Sequence, residues 1–348
     1  MAERETENDD STSSTDTETS TPKVNTVVRS NLTGRRYSLE SALSEGGFGT
    51  VFCASYLEEG QLRQAAAKIE RWEGNMQATE VNVLQTARNL DCRRFPKLID
   101  FGTKPRKYRF IIMTLLGQDL YKIRKDREGA IFTMSTSLRI ALQTIDAICE
   151  LHTRCKFICR DVKPSNFVIG LSKTNMERHI YIVDFGLCRR YIDRFGHLIP
   201  SRGQVGWRGT YRYGSLQCHL RMDLSRKDDL ESWLYMVVEC VTGRLPWSNE
   251  RKRDIVHAQK IVARTLKRAE FLRNCPGVFG DILDLIDAMT FTSEPNYSDF
   301  IAKLRNACRE RRISDDDPYD WEETNHRTTN DNETTAEFTA RERTAIHN

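Results

Sequence analysis

The stretch Cys159-Arg160-Asp161-Val162-Lys163-Pro164-Ser165-Asn166 decides the reading of this 348-residue chain. It sets a carboxylate, an amine and an amide within six residues, Asp161 to Asn166. A second string, Asp184-Phe185-Gly186, adds a carboxylate next to a glycine. An isolated Asp in a loop is ordinarily a turn residue, because its side chain bonds nearby backbone. Here the polar groups recur in company. Upstream lies Leu43-Ser44-Glu45-Gly46-Gly47-Phe48-Gly49-Thr50-Val51. Its glycines let a strand-turn-strand approach an anion closely, with no Cβ in the way. A strand follows, not a helix, which disfavours a dinucleotide site. One strand later comes Ala65-Ala66-Ala67-Lys68, and Glu80 stands twelve residues beyond Lys68. A lone surface Lys–Glu pair contributes under about 1 kcal/mol. The flanking alanines instead aim Lys68 from a packed strand into a cleft.

Apolar residues make up 39% of the chain and charged residues 29%, as in a soluble protein with polar tails. No apolar run reaches the roughly 18 residues of a membrane span. The acidic start, Met1-Ala2-Glu3-Arg4-Glu5, does not read as a secretory signal. Ten cysteines form no C-x-x-C pair and no zinc set, so reduced thiols of an intracellular protein, in cytoplasm or nucleus, are expected. Cys188, two residues past Gly186, reads as a small core residue before it reads as a reactive thiol. Charge is uneven. Residues 1–22 carry seven acids and one base, residues 314–348 ten acids and three bases, and the whole chain is +4. That leaves residues 23–313 at net +17 between segments of −6 and −7. So basic a core prefers anionic partners. No zinc finger or aromatic RNA motif is present, so acidic or phosphorylated protein outranks nucleic acid.

Residues 1 to about 30 are too polar to offset their ordering entropy. The segment from about Ser314 is similar, although Tyr319, Trp321 and Phe338 offer anchors. Between them, Tyr37–Leu43, Val51–Leu57, Gln64–Ile69 and Phe110–Met113 read as strands. Glu80 to Leu84, with Ala87, has a helical face. Leu138, Ala141, Leu142, Ile145, Ile148 and Leu151 recur at spacings of three and four, which predicts an amphipathic helix. Leu230 to Val241, apolar nearly all round, predicts a buried one. A small β-rich lobe followed by a larger helical lobe leaves a ligand cleft between them.

Together these strings resemble the motifs of protein kinases, over roughly residues 37–310. The resemblance implies an α+β bilobal kinase-like fold: a small β-rich N-lobe with one main helix (about 37–114) and a larger helical C-lobe (about 117–313). Acidic tails, largely disordered, would flank it at 1–30 and 314–348. It implies ATP and Mg2+ as cofactors and protein Ser/Thr as acceptor, Lys163 being the Ser/Thr-type residue. Asp161 would be the catalytic base and Lys163 the contact to the γ-phosphate, with Asn166 and Asp184 on the metal. Nucleotide would meet Leu43, Ser44, Glu45, Gly46, Gly47, Phe48, Gly49, Val51, Ala66, Lys68 and Glu80. Adenine would lie at Met113, Thr114 and Leu116, through the Thr114 carbonyl and the Leu116 N–H. Thr210 would hydrogen-bond near Asp161, with Tyr213 beside it on the substrate floor.

Lys163-Pro164-Ser165-Asn166-Phe167, Gly206-Trp207-Arg208-Gly209-Thr210-Tyr211-Arg212-Tyr213 and Lys227-Asp228-Asp229-Leu230-Glu231-Ser232 resemble the casein kinase 1 group. The context of Leu245-Pro246-Trp247 is most similar to tau-tubulin kinases. This implies Ser/Thr sites in acidic or phosphate-primed contexts. Arg212 and Lys260, with Lys252 less securely, would form an anion site, and Arg189, Arg190, Arg202 and Arg208 would add charge. A monomer is expected. Three residues depart from the wider pattern: Ser44 for a loop glycine, Cys159 for the His before Arg-Asp, and Leu234 for a helix glycine. They motivate an alternative, a catalytically weak pseudokinase scaffold that binds partners through its basic lobe. A nucleic-acid binder is a third reading, and tails folding back on the basic core would be autoinhibitory.

Overall fold

The computed structural model describes residues 22–46, 49–72, 76–207 and 209–322. Its N-terminal lobe comprises β1 (Val27–Arg29), β2 (Arg36–Gly46), β3 (Gly49–Glu58), β4 (Gln61–Arg71), helix α1 (Gln77–Asn89), β5 (Leu98–Lys104) and β6 (Tyr108–Met113). The strands form one antiparallel sheet in the order β1-β2-β3-β4-β6-β5. Glu59 and Gly60 both take positive φ, the conformation that lets a two-residue turn match the twist of β3 and β4. Side chains alternate along β4. Ala65, Ala67 and Ile69 bury on one face with Tyr37, Phe52 and Phe110, while Ala66 joins the other core, on the side of α1. Lys68 shares the Ala66 face, which carries its amine to α1 and the interlobe cleft.

The C-terminal lobe adds α2 (Leu120–Lys125), α3 (Met134–Cys149), β7 (Phe157–Ile158), β8 (Phe167–Ile169), β9 (Ile180–Ile182), β10 (Arg189–Arg190) and α4 (Leu216–His219). It closes with α5 (Arg226–Thr242), α6 (Arg253–Arg264), α7 (Arg268–Phe271), α8 (Val278–Asp287) and α9 (Tyr297–Glu310). Helix α5 starts on a capping box, Ser225 with Asp228, and stops at Gly243 in the left-handed region. Between these caps Trp233, Leu234, Met236 and Val237 are fully buried. Leu234, flagged as a departure, is therefore a core residue. The pairs β8–β9 and β7–β10 carry the polar strings, one on each side of the catalytic stretch.

Two stretches expected in the tails belong to the folded body. Residues 27–29 pair with β2 as β1. Tyr319 and Trp321 are buried against α3: Arg139 stacks on the Tyr319 ring and Trp321 meets Phe132 edge-on. Asp320 accepts from the Thr133 N–H and hydroxyl at the start of α3. Phe338, the third expected anchor, lies outside the described residues.

Candidate active site

Two polar clusters meet between the lobes. In the first, Lys68 Nζ lies 2.6 Å from Glu80 Oε2 and 2.7 Å from Asp184 Oδ1. Helix α1 supplies Glu80, which is 2% exposed, and the strand pair β8–β9 leads to Asp184. Burial alone would lower the Lys68 amine, but the Glu80 and Asp184 carboxylates outweigh it and hold its pKa above the ordinary value. Burial pushes the Glu80 carboxyl up, whereas Lys68 and then Lys163 overcome burial and pull Asp184 down. Lys68 thus stays an ammonium, and Asp184 stays ionised to meet a cation.

The second cluster forms around Asp161. Lys163 Nζ donates to Asp161 Oδ2 at 2.6 Å, and Thr210 Oγ1 donates to Asp161 Oδ1 at 3.1 Å. Asn166 Nδ2 donates to the Asp161 carbonyl at 2.9 Å. The Asn166 amide nitrogen is therefore spent, and its oxygen is the end left for a cation. The Val183 N–H donates to the Asn166 carbonyl at 2.9 Å, tying the two clusters side by side. Arg160 and Asp184 both have φ in the left-handed region, 67° and 63°, strain of the kind that concentrates at functional sites.

The sequence reading missed a residue that holds this loop. Asp229 of α5, buried, accepts from the Cys159 N–H at 2.6 Å, the Arg160 N–H at 2.8 Å and His152 Nε2 at 2.8 Å. The signal was present as an acidic pair opening an apolar helix. Cys159 is buried beside it, so the departure at that position leaves a packed core. Phe185 is fully buried and stacks on Phe95 at 5.3 Å, which holds Asp184 turned towards Lys68.

The glycine-rich hairpin covers this side of the cleft. Ser44 pairs with Val51, Glu45 with Thr50 and Gly46 with Gly49, and Leu43 is exposed. Gly49 has φ 141°, and a Cβ there would collide with the Ile69 carbonyl. Gly47 and Phe48 lie outside the described residues. Ala66 faces Met113 across the β4–β6 pair. Among the described residues the Thr114 carbonyl and the Leu116 N–H make no hydrogen bond, which leaves both edges for a planar base. No group of three His, Cys, Asp or Glu that could hold a metal ion by itself occurs among the described residues. One carboxylate and one amide oxygen beside a lysine instead suit a hard cation that takes its remaining oxygens from phosphate and water.

The expected anion site does not assemble as read. Lys260 is fully buried, its Nζ donating to the carbonyls of Tyr211 at 2.9 Å and Gly214 at 2.5 Å, with His219 Nε2 at 3.1 Å. The rings of Tyr235 and Trp247 flank it at 4.9 and 5.4 Å. Burial pulls this amine down to about 7, yet three acceptors and two ring faces suit an ammonium. Lys260 is a clamp on the segment around Thr210, with nothing left to offer an outside anion. Arg212, half-buried, spends charge on Glu239 at 3.4 Å and on the Ser248 carbonyl at 3.0 Å. Arg189 and Arg202 both converge on buried Asp223 at 2.6 Å, and Arg190 stacks on Phe157. Lys252 is exposed, and Arg208 lies outside the described residues.

Residues 37–325 match the protein kinase domain model. The chain belongs to the protein kinase family. This kinase is 32% identical over 308 residues to the serine/threonine-protein kinase spe-6 of Caenorhabditis elegans, covering 86% of this chain and 79% of that protein. It is 30% identical over 293 residues to a casein kinase I-like protein of the same organism, covering 83% and 84%. The chain is accordingly a protein serine/threonine kinase, which uses ATP with a divalent metal and acts on protein substrates. No helix among the described residues is long and apolar enough to cross a membrane.

Proposed function

We propose that this kinase transfers the γ-phosphoryl of ATP to Ser or Thr hydroxyls with Asp161 as the base that orients and deprotonates the acceptor. One observation carries the reading: the Lys68–Glu80–Asp184 and Asp161–Lys163–Asn166–Thr210 clusters sit on one crevice, joined through Val183. Lys68 neutralises the α- and β-phosphates and Lys163 the γ-phosphate. Asn166 and Asp184 hold Mg2+, a metal that their oxygen donors suit. When bound, that ion supplies charge neutralisation on the transferring group. Leu43 to Gly46, Gly49, Val51, Ala66 and Met113 enclose the nucleotide, and the Thr114 and Leu116 backbone reads the adenine edge. Catalysis then rests on positioning and electrostatics, with no covalent step on the protein.

The same reading extends to substrate choice. The net +17 of residues 23–313 favours Ser/Thr in acidic or phosphate-primed contexts, as in the casein kinase 1 group and its tau-tubulin kinase branch. The enzyme acts as a monomer. Rates on a phosphoserine-primed peptide library compared with its unmodified counterpart test the preference. Higher kcat/KM on primed or acidic peptides is expected; equal rates across both libraries would reject it.

A further inference from the structure

Away from the nucleotide site, two thiols face each other where the lobes join. Cys92 lies in the turn between α1 and β5. Cys155 ends the turn that follows α3 and leads through β7 to Asp161. They are 63 residues apart in sequence, and their Sγ atoms are 3.8 Å apart. The backbone on both sides is braced. Glu150 accepts from the N–H groups of Arg93 at 3.0 Å and Arg94 at 3.1 Å, and the Arg154 guanidinium reaches the carbonyls of Leu90 and Asp91. The Cys92 N–H donates to Ala87 and the Cys155 N–H to Glu150. Neither sulfur therefore swings on a loose loop, and a bond of about 2.0 Å asks them to approach by under about 2 Å.

Access is unequal. Cys92 is partly exposed and Cys155 is buried. Burial raises both thiols, but the contact with Cys155 works the other way at Cys92, favouring its thiolate. Cys92 is thus the sulfur that meets a reagent first. Cys159 and Cys188 also touch, but both are buried behind the catalytic stretch and out of reach.

We propose that Cys92 and Cys155 are a redox-active dithiol that closes reversibly to a disulfide by exchange with a small-molecule disulfide such as oxidised glutathione. The Cys92 thiolate attacks one sulfur of that disulfide, forming a mixed disulfide and releasing one glutathione thiolate, which takes up the Cys92 proton from solvent. Cys155 then loses its proton, attacks Cys92 Sγ and releases the second glutathione. The protein pair is oxidised by two electrons and one glutathione disulfide is reduced. The bond staples the helix that bears Glu80 to the segment that leads into Asp161.

The test needs no kinase activity. The full chain is incubated with oxidised glutathione, its remaining thiols are alkylated, and peptides are mapped by mass spectrometry. A Cys92–Cys155 linked peptide is expected, two hydrogens lighter than the reduced pair and cleaved by dithiothreitol. Eight of the ten cysteines should be alkylated, and the thermal midpoint of the oxidised protein should rise. In Cys155→Ser, reaction should stop at a glutathione adduct on Cys92. Ten alkylated cysteines in the wild type, or a Cys92 adduct that never passes to Cys155, would overturn the proposal.

Discussion

Replacing Asp161 by Asn isolates the role assigned to its carboxylate. The change preserves size and leaves the Asp161 carbonyl for Asn166. It removes the charge and turns one of two acceptor oxygens into a donor. One oxygen now receives from Lys163 at 2.6 Å and the other from Thr210 at 3.1 Å, so the amide keeps its oxygen on the donor-only Lys163 and turns its nitrogen to the Thr210 hydroxyl, which can accept. A positioned base contributes roughly 10²–10⁴-fold, or about 2.7–5.4 kcal/mol on the barrier. Initial rates of phosphate transfer from labelled ATP to casein should fall by that factor. The ATP-induced shift in thermal midpoint should persist, because Lys68, Glu80 and Asp184 remain. A kcat within about threefold of wild type would refute the assignment of Asp161 as base.

Lys260→Met should strand the Tyr211 and Gly214 carbonyls, lower stability by roughly 2–4 kcal/mol, and raise peptide KM more than ATP KM; thermal melts and initial-rate kinetics check both. Trp321→Ala, which empties a buried site against Phe132, should cost roughly 3–5 kcal/mol in denaturant unfolding. The Asp223 carboxyl is held well below its usual range, because Arg202 and Arg189 overcome its burial. Its stabilisation is complete above the unfolded-state pKa, near pH 4, and is lost as pH falls towards the depressed folded value. In Asp223→Asn the acid limb of a stability–pH profile should be shallower than in wild type. A parallel limb would remove Asp223 from that role.

The polar strings and the two long helices were legible because each is local: capping, periodicity and fixed spacing act within a few residues. The strands β1 and β5 were not. β5 contains Asp100 and Gly102, which read as loop, yet Asp100 is buried and accepts from Ser30 at 2.9 Å, Thr33 at 2.5 Å and Tyr37 at 2.8 Å. One carboxylate thus fastens the β1–β2 connection and β2 to β5 across more than sixty residues, a partnership that no local pattern encodes. Tyr319 and Trp321 stood out as anchors beside the acidic run Asp315–Asp317, but where they dock did not, since Arg139 and Thr133, which receive that segment, lie far off in sequence. Lys260 reads as a surface cation on a mixed helix. Only the return of the chain at Tyr211 and Gly214 shows its amine to be enclosed.

Whether the two clusters cooperate in chemistry is best decided by following γ-phosphate from MgATP into casein Ser and Thr, in wild type and in Asp184→Asn. Steady incorporation by wild type and none by the variant is the expected result. Nucleotide binding by both proteins with no incorporation by either would contradict it and leave a scaffold in place of an enzyme.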